Sequence, residues 1–509
     1  MTMTRIHHPL DAQRGVRPHA PALRDHDGQR ITFAELGGIV EDLAADLAAR
    51  GLKAGDRLLI LAENCAALIG MIMAASRLDA IAVPVNARMT EHELHRIAGH
   101  ADPRLTVYLT NVSPQARTHA DIAEAGPWDT ALGRLAIAGP FASPVPERLS
   151  PDAGQAALIL YTTGSTGTPK GVMLSHANLL FGGQTSARMR GMTPEDLILG
   201  VLPMTHVFGL TSMMIAGMVA GAELWLFPRF TPAAVVDALQ AGVSVLPAVP
   251  QMHALIMEEA AARGIARLPA GRLRYVSSGA APLDPDWKRR AEAFYGVALQ
   301  NGYGLTETTA GATLTTNPPG VPDVSVGPAL PGVELRLRHA GPDGVGEIQT
   351  RGPHVMLGYF RNPEATAAAF DDEGFLCTGD LGRIDAAGNL HIAGRARELI
   401  IRGGFNVYPP EVEAALNDHP RVIQSAVIGR KTEGGNEEVL AFCQTDDPAL
   451  VSERDLREHV AERLSPYKRP SRIIVTTALP TSPNGKILKQ NLVETFRDAL
   501  DDLDAKEAR

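Results

Sequence analysis

The chain has 509 residues, 45% hydrophobic and 21% charged, an ordinary globular composition that is too long for one hydrophobic core. Its 48 lysines and arginines against 57 aspartates and glutamates leave a net charge of −9, with no basic block, which argues against nucleic acid as the main partner. Cys65, Cys377 and Cys443 stand far apart and off metal spacing, which argues against a disulfide framework or structural zinc and fits a reducing cytoplasm.

The first nine residues lack the apolar core of a signal peptide. Thr32 opens a helical pattern that runs to Arg50, residues 56–61 read as a strand, a helix follows through Ser76, and 81–85 form another strand. The apolar run 156–160 leads into a loop that holds Thr162, Thr163, Gly164, Ser165, Thr166, Gly167, Thr168 and Lys170. Glycine lets backbone N–H groups approach a ligand, hydroxyls donate further hydrogen bonds and lysine adds charge, so this composition suits a polyphosphate. It is not the Walker loop, because Pro169 stands five positions after Gly164, where that pattern requires glycine.

Residues 208–227 are apolar over a length that would suit a membrane span. Thr211, Ser212 and Glu223 interrupt the run and Gly221 divides it, so a buried helix followed by a strand at 223–227 is expected, with no integral membrane segment. Residues 243–246 and 273–277 read as buried strands, with helices near 251–262 and 285–295. From 333 to 392, short alternating segments with turns at 341–344, 371–374 and 385–388 predict an antiparallel β region. Beyond Arg395 the pattern shortens to helices at 411–417 and 453–464 and strands at 422–428, 439–442 and 472–475. The acidic tail after Leu488 reads as a solvated surface helix, and there are no internal repeats. The fold class is therefore α/β: a large N-terminal domain (1–394) of layered α/β subdomains plus a β-rich subdomain, and a small α+β C-terminal domain (395–509).

Further motifs follow the loop in order: 202–210 around His206, 277–282, 301–307, 377–380, 392–395, 403–413 and 480–486. With the loop, this series resembles the adenylate-forming superfamily of acyl-CoA synthetases, firefly luciferase and nonribosomal-peptide adenylation domains. The likeness covers nearly the whole chain and is closest to the acyl- and aryl-CoA ligases. The chemistry of that family explains the residue types. A carboxylate is a poor acyl donor, because its leaving group would be oxide. Attack on the α-phosphorus of ATP gives an acyl-adenylate and pyrophosphate, and a thiol can then displace AMP. The first step joins two anions and needs cations to offset their repulsion.

What the resemblance implies can be stated residue by residue. Lys486 would bridge the substrate carboxylate and the α-phosphate, and Glu307 would bind Mg²⁺, which takes only one or two protein carboxylates. Thr306 would hydrogen-bond the α-phosphate. Tyr303 would lie against adenine, with Gly302 and Gly304 leaving space beside it. Asp380, an acceptor-only carboxylate, would take both ribose hydroxyls with help from Arg395. Ser278, Gly279, Ala280 and Ala281 would edge the base and Asn301 would read its amino group, while the loop 162–170 would hold the β- and γ-phosphates. His206 would gate the acyl carboxylate.

Phe208, Ser212, Gly279, Gly304 and Thr308 fall where related ligases line the acyl pocket and suggest an apolar tunnel for a fatty or aromatic acid. Arg229 is read as structural in preference to a partner for a second carboxylate. Gly403 and Gly404 would meet coenzyme A, and Arg430 and Lys431 could reach its phosphates or simply be solvated. Arg397 occupies the family's hinge position, where aspartate or lysine is usual; there the mobile small domain swings between an adenylating and a thioester-forming pose. The reading is an ATP-dependent acid–CoA ligase using ATP, Mg²⁺ and coenzyme A on a small carboxylic acid. The alternatives are a ligase that loads a carrier protein and an inactive nucleotide-binding homologue, the latter opposed by intact Lys486, Glu307, Thr306 and Asp380. A monomer and a homodimer both stay open.

Overall fold

A computed structural model of the chain describes residues 3–142, 145–163, 169–279, 283–402, 405–432, 437–481 and 487–501. Two eight-stranded sheets carry most of the large N-terminal part. In one, Leu197–Gly200, Glu223–Leu226, Val245–Ala248, Tyr275–Gly279 and Leu299–Tyr303 are parallel neighbours, as apolar strands alternating with helices require. The short strand Thr313–Leu314 closes the edge beside Leu299–Tyr303 in antiparallel sense. In the other, Ile81–Asn86 and Arg57–Ala62 form a parallel centre, flanked by the hairpin Ala156–Thr163 and Pro169–Ser175. Thr163 pairs with Pro169, so the hydroxyl- and glycine-rich residues 164–168 connect the two arms of that hairpin.

The helix opened by Thr32 spans Phe33–Ala49, and Thr32 forms a capping box with Glu35 that satisfies its first free N–H groups. Helix Ala66–Arg77 is buried in all but its last residue, which its uninterrupted apolar sequence demands. The run at 208–227 divides as its composition suggests: a short turn Val207–Gly209, a π-helix Leu210–Ile215, an α-helix Ala216–Ala220, a left-handed Gly221 at φ +73°, then the strand Glu223–Leu226. No helix among the described residues is long and apolar enough to cross a membrane.

The antiparallel region is a four-stranded sheet of Glu334–Arg338, Gly346–Arg351, Leu376–Ile384 and Leu390–Arg395. After Arg395 come the hairpin Ile400–Arg402 and Phe405–Val407, and a three-stranded sheet of Gln424–Lys431, Glu437–Gln444 and Arg472–Thr476. The helices Pro409–Asn417 and Glu453–Ala461 pack on that sheet around Val412, Leu416, Val427 and Leu456. The expectation of a solvated tail is corrected. Leu492 and Leu500 are buried against Ala426, Leu440 and Phe442, because apolar residues recur at 492, 496 and 500 along one helical stripe.

Candidate active site

Strand Leu299–Tyr303, beside the edge strand of the first sheet, ends where that sheet meets the four-stranded region. There the Tyr303 hydroxyl donates to Asp380 Oδ2 at 2.7 Å, and Arg395 Nε lies 3.1 Å from Asp380 Oδ1. Asp380 and Arg395 face each other across adjacent antiparallel strands, which fixes their pairing by register. Asp380 is buried, and its backbone N–H donates to Thr378 Oγ1 at 3.1 Å. Burial and the neighbouring Asp380 carboxylate push the Tyr303 phenol well above its ordinary pKa, so it remains a neutral donor. The expected base platform and the expected ribose acceptor are thus joined by a hydrogen bond.

The space expected beside Gly302 and Gly304 is occupied. A Cβ on Gly304 would stand 2.0 Å from the Ala310 carbonyl, and one on Gly302 would stand 2.9 Å from the Thr313 carbonyl. Both glycines answer to backbone crowding within the fold. Asn301 likewise turns inward: it is 1% exposed, donates from Nδ2 to the Ser325 carbonyl at 3.1 Å and accepts from Gly302 N at 3.0 Å. It holds the strand end to 325 rather than presenting its amide to a base.

Thr306 and Glu307 lie in the 3₁₀ turn Thr306–Thr308. Thr308 corrects the acyl-wall expectation: its buried hydroxyl accepts from Leu305 N at 2.7 Å and donates to the Leu305 carbonyl at 3.1 Å, closing its own turn. Thr309 and Ala310 follow at φ +51° and +82°, a region costly for residues with a Cβ. Thr309 Oγ1 pins this turn to the His354 carbonyl at 2.6 Å. Glu307 Oε1 accepts from the Tyr359 hydroxyl at 2.9 Å, and Lys170 Nζ sits 4.9 Å from the centre of the Tyr359 ring. Burial and the Glu307 carboxylate raise the Tyr359 phenol above its ordinary pKa. Sequence reasoning missed Tyr359, since nothing in its local pattern marks it. Pairing with Val172 brings it between the loop lysine and the acidic turn.

On the acid side, His206 caps the turn Val207–Gly209, and its Nδ1 accepts from Phe208 N at 3.3 Å. In neutral histidine that leaves the proton on Nε2. A Cβ on Gly279 would lie 3.1 Å from the Phe208 ring, so Gly279 is small where the aromatic side chain packs on strand Tyr275–Gly279. Ser212 sits buried in the π-helix, and its carbonyl accepts from Arg190 Nη1 at 2.6 Å. Phe208, Ser212 and Gly279 therefore share one wall, while Gly304 and Thr308 are spent on the neighbouring turn. Arg190 and Tyr275, absent from the sequence reading, complete that wall: the Arg190 guanidinium carbon lies 5.6 Å from the centre of the Tyr275 ring. The wall is less apolar than the sequence suggests.

Arg229 is structural, as read from sequence: its Nε donates to buried Glu63 Oε1 at 2.9 Å and another of its nitrogens to Gln115. Arg430 forms a cross-strand ion pair with Glu438, and Lys431 stands opposite Glu437 in register, so both answer to neighbouring acidic positions. Arg397 is exposed in the turn Ala396–Glu398. Gly164, Ser165, Thr166, Gly167, Thr168, Ala280, Ala281, Gly403, Gly404 and Lys486 lie outside the described residues, as does the side chain of Thr163.

Comparison with known proteins places the chain in a family. The profile of the AMP-binding enzyme family matches residues 10–360, and that of the AMP-binding enzyme C-terminal domain matches 411–486. The chain is 32% identical over 492 residues to the sulfoacetate–CoA ligase of Cupriavidus necator, covering 94% of this chain and 95% of the relative. It is 31% identical over 510 residues to 4-coumarate–CoA ligase 3 of Oryza sativa subsp. japonica, covering 94% and 90%. Among solved structures it resembles ATP-bound MatB from Rhodopseudomonas palustris, with a TM-score of 0.82 at 32% identity, covering 98% of this chain and 100% of the other.

Proposed function

The chain belongs to the AMP-binding enzyme family and is an AMP-forming acid–CoA ligase, and we propose that the Tyr303–Asp380–Arg395 cluster and the Glu307–Tyr359–Lys170 row are its nucleotide site. The observation that carries this assignment is the hydrogen bond from Tyr303 to Asp380, which sets an aromatic face and an acceptor-only carboxylate side by side. That pairing suits a base and its ribose.

In the proposed course, Asp380 and Arg395 orient the ribose and Lys170 attracts the outer phosphates. Glu307 fits the divalent ion: it offers a carboxylate, held by Tyr359, beside the Thr306 position. Bound there, Mg²⁺ supplies positive charge to the phosphate oxygens. His206 is proposed to hold the acid. The acid's carboxylate oxygen bonds to the α-phosphorus as the bond to pyrophosphate breaks, giving acyl-AMP. The thiolate of coenzyme A then bonds to the acyl carbon and AMP leaves. Lys486 is proposed to neutralise the two anions as they join, and Gly403 and Gly404 to meet the thiol. A large domain (1–394) and a small cap (395–509) turning at Arg397 is the proposed division, and the cytoplasm the proposed location. The three cysteines are free, with the buried Cys65 and Cys443 thiols pushed up to about 12 by desolvation.

Incubation with ATP, Mg²⁺, coenzyme A and a panel of aryl and acyl carboxylic acids tests the reading. Pyrophosphate and thioester should appear together. Pyrophosphate without thioester would favour a carrier-protein acceptor, and the absence of both would end the ligase reading.

A further inference from the structure

One buried charge near the acid wall takes no part in the proposed adenylation. Arg190 caps helix His176–Met189 and is 7% exposed. Its Nη1 is used by the Ser212 carbonyl, yet its Nε has no hydrogen-bond partner, and it has no ion pair among the described residues. The hydroxyls of Tyr275 and Ser277 are buried on the same wall without a hydrogen bond of ordinary length, the Tyr275 hydroxyl interacting with Arg190 and Ser277. A buried guanidinium without a counter-charge, beside two weakly matched hydroxyls, is costly, and such a group is ordinarily paired. The Ser212 carbonyl, inside the π-helix, accounts for Nη1 alone.

The placement of these groups is not scattered. Side chains alternate along a strand, so Tyr275, Ser277 and Gly279 share one face of Tyr275–Gly279. At its far end Gly279 touches Phe208, and the Phe208 ring centre is 6.0 Å from the Arg190 guanidinium carbon, which also lies 5.6 Å from that of Tyr275. The wall thus leads from Gly279, beside the expected site of the reacting carboxyl, down to a cation among hydroxyl groups. Arg229, the other arginine considered for a second carboxylate, is already paired with Glu63.

We propose that Arg190, with Tyr275 Oη, receives a second carboxylate at the distal end of the acid, so that the preferred substrates are dicarboxylic, aliphatic or aryl. This rests on the ligase reading. It makes Arg190 a specificity-determining residue and assigns the buried wall a ligand that neutralises it.

The test uses the full-length enzyme with matched pairs of acids: adipic against hexanoic, suberic against octanoic, and terephthalic against para-toluic. Pyrophosphate release and thioester are both measured. The diacid should exceed its monoacid in kcat/KM by about tenfold or more in at least one pair, the scale of a hydrogen bond to a charged group. Arg190→Met and Tyr275→Phe should each reduce that ratio. Because the ratio is taken within one preparation, partial loss of folded enzyme cancels, and Tyr275→Phe removes only one oxygen. A preference for the monoacid in every pair, with turnover intact, overturns this proposal and leaves the ligase reading standing. So does a ratio that neither variant moves. No pyrophosphate from any acid removes both.

Discussion

The Tyr303 hydroxyl and Asp380 Oδ2, 77 positions apart in the chain, meet at 2.7 Å and join the eight-stranded sheet to the four-stranded region. The bond holds one carboxylate oxygen while Arg395 holds the other, so the acceptor expected for the ribose has a fixed orientation before any ligand arrives. Removing the phenolic oxygen should therefore loosen nucleotide binding more than chemistry. Tyr303→Phe is expected to raise KM for ATP about three- to tenfold with a smaller change in kcat, a cost of about 1 kcal/mol. Steady-state kinetics at saturating acid checks it, and an unchanged KM would mean that the Tyr303 bond does not orient Asp380 for the nucleotide.

Glu307 is steadied by Tyr359, whose ring also faces Lys170. Tyr359→Phe leaves the carboxylate in place but removes one of its restraints. The Mg²⁺ concentration for half-maximal pyrophosphate release should rise several-fold, since loss of a partner that orients a metal ligand commonly costs tenfold or more. A magnesium titration of both proteins distinguishes this from a general loss of activity.

Lys486 is expected to act chiefly in the transition state, where two anions close on each other. Lys486→Ala should lower adenylation by about a hundredfold or more while ATP affinity changes little. Isothermal titration with ATP alongside pyrophosphate release separates the two. Turnover near the parent value would remove the lysine from the mechanism.

Four buried histidines predict how stability depends on pH. Burial lowers His7 and His176 to about 3 and His253 and His354 to about 4, from 6.5. His253 is held neutral between the Tyr295 hydroxyl and the Ser277 carbonyl. Between pH 6.5 and about 4 the unfolded chain binds protons that the fold refuses. Stability from these groups is therefore complete above 6.5 and falls with acidification, by about 1.4 kcal/mol per histidine per pH unit. Tm measured across that window should decline steadily, and a flat profile would contradict the assignment.

Much of the architecture was legible before any coordinates. Thr32 and Glu35 announce a helix start by their spacing, and the apolar strands 57–62 and 81–86 declare themselves buried by continuous hydrophobicity. Gly221 marks where the long apolar run breaks. These signals are local, because capping, turn geometry and periodic burial act over a few residues. The tail after Leu488 was misread for the complementary reason: its surface is acidic, but the sheet that covers Leu492 and Leu500 comes from residues 426–442.

The candidate site divides in the same way. Residue types suited to polyphosphate, ribose and metal stand in the chain as motifs, so the sequence alone determined the α/β class and the family resemblance that implied adenylation by a ligase. Which of those residues face a ligand was decided only by tertiary contacts. Asn301 and Gly304 sit inside a motif and Thr308 directly after it, yet all three serve the backbone around them, while Tyr359, Arg190 and Tyr275 lie outside the motifs and complete the walls. The physical reason is that a side chain's direction and partners depend on strands brought together across hundreds of residues, and no local pattern carries that pairing.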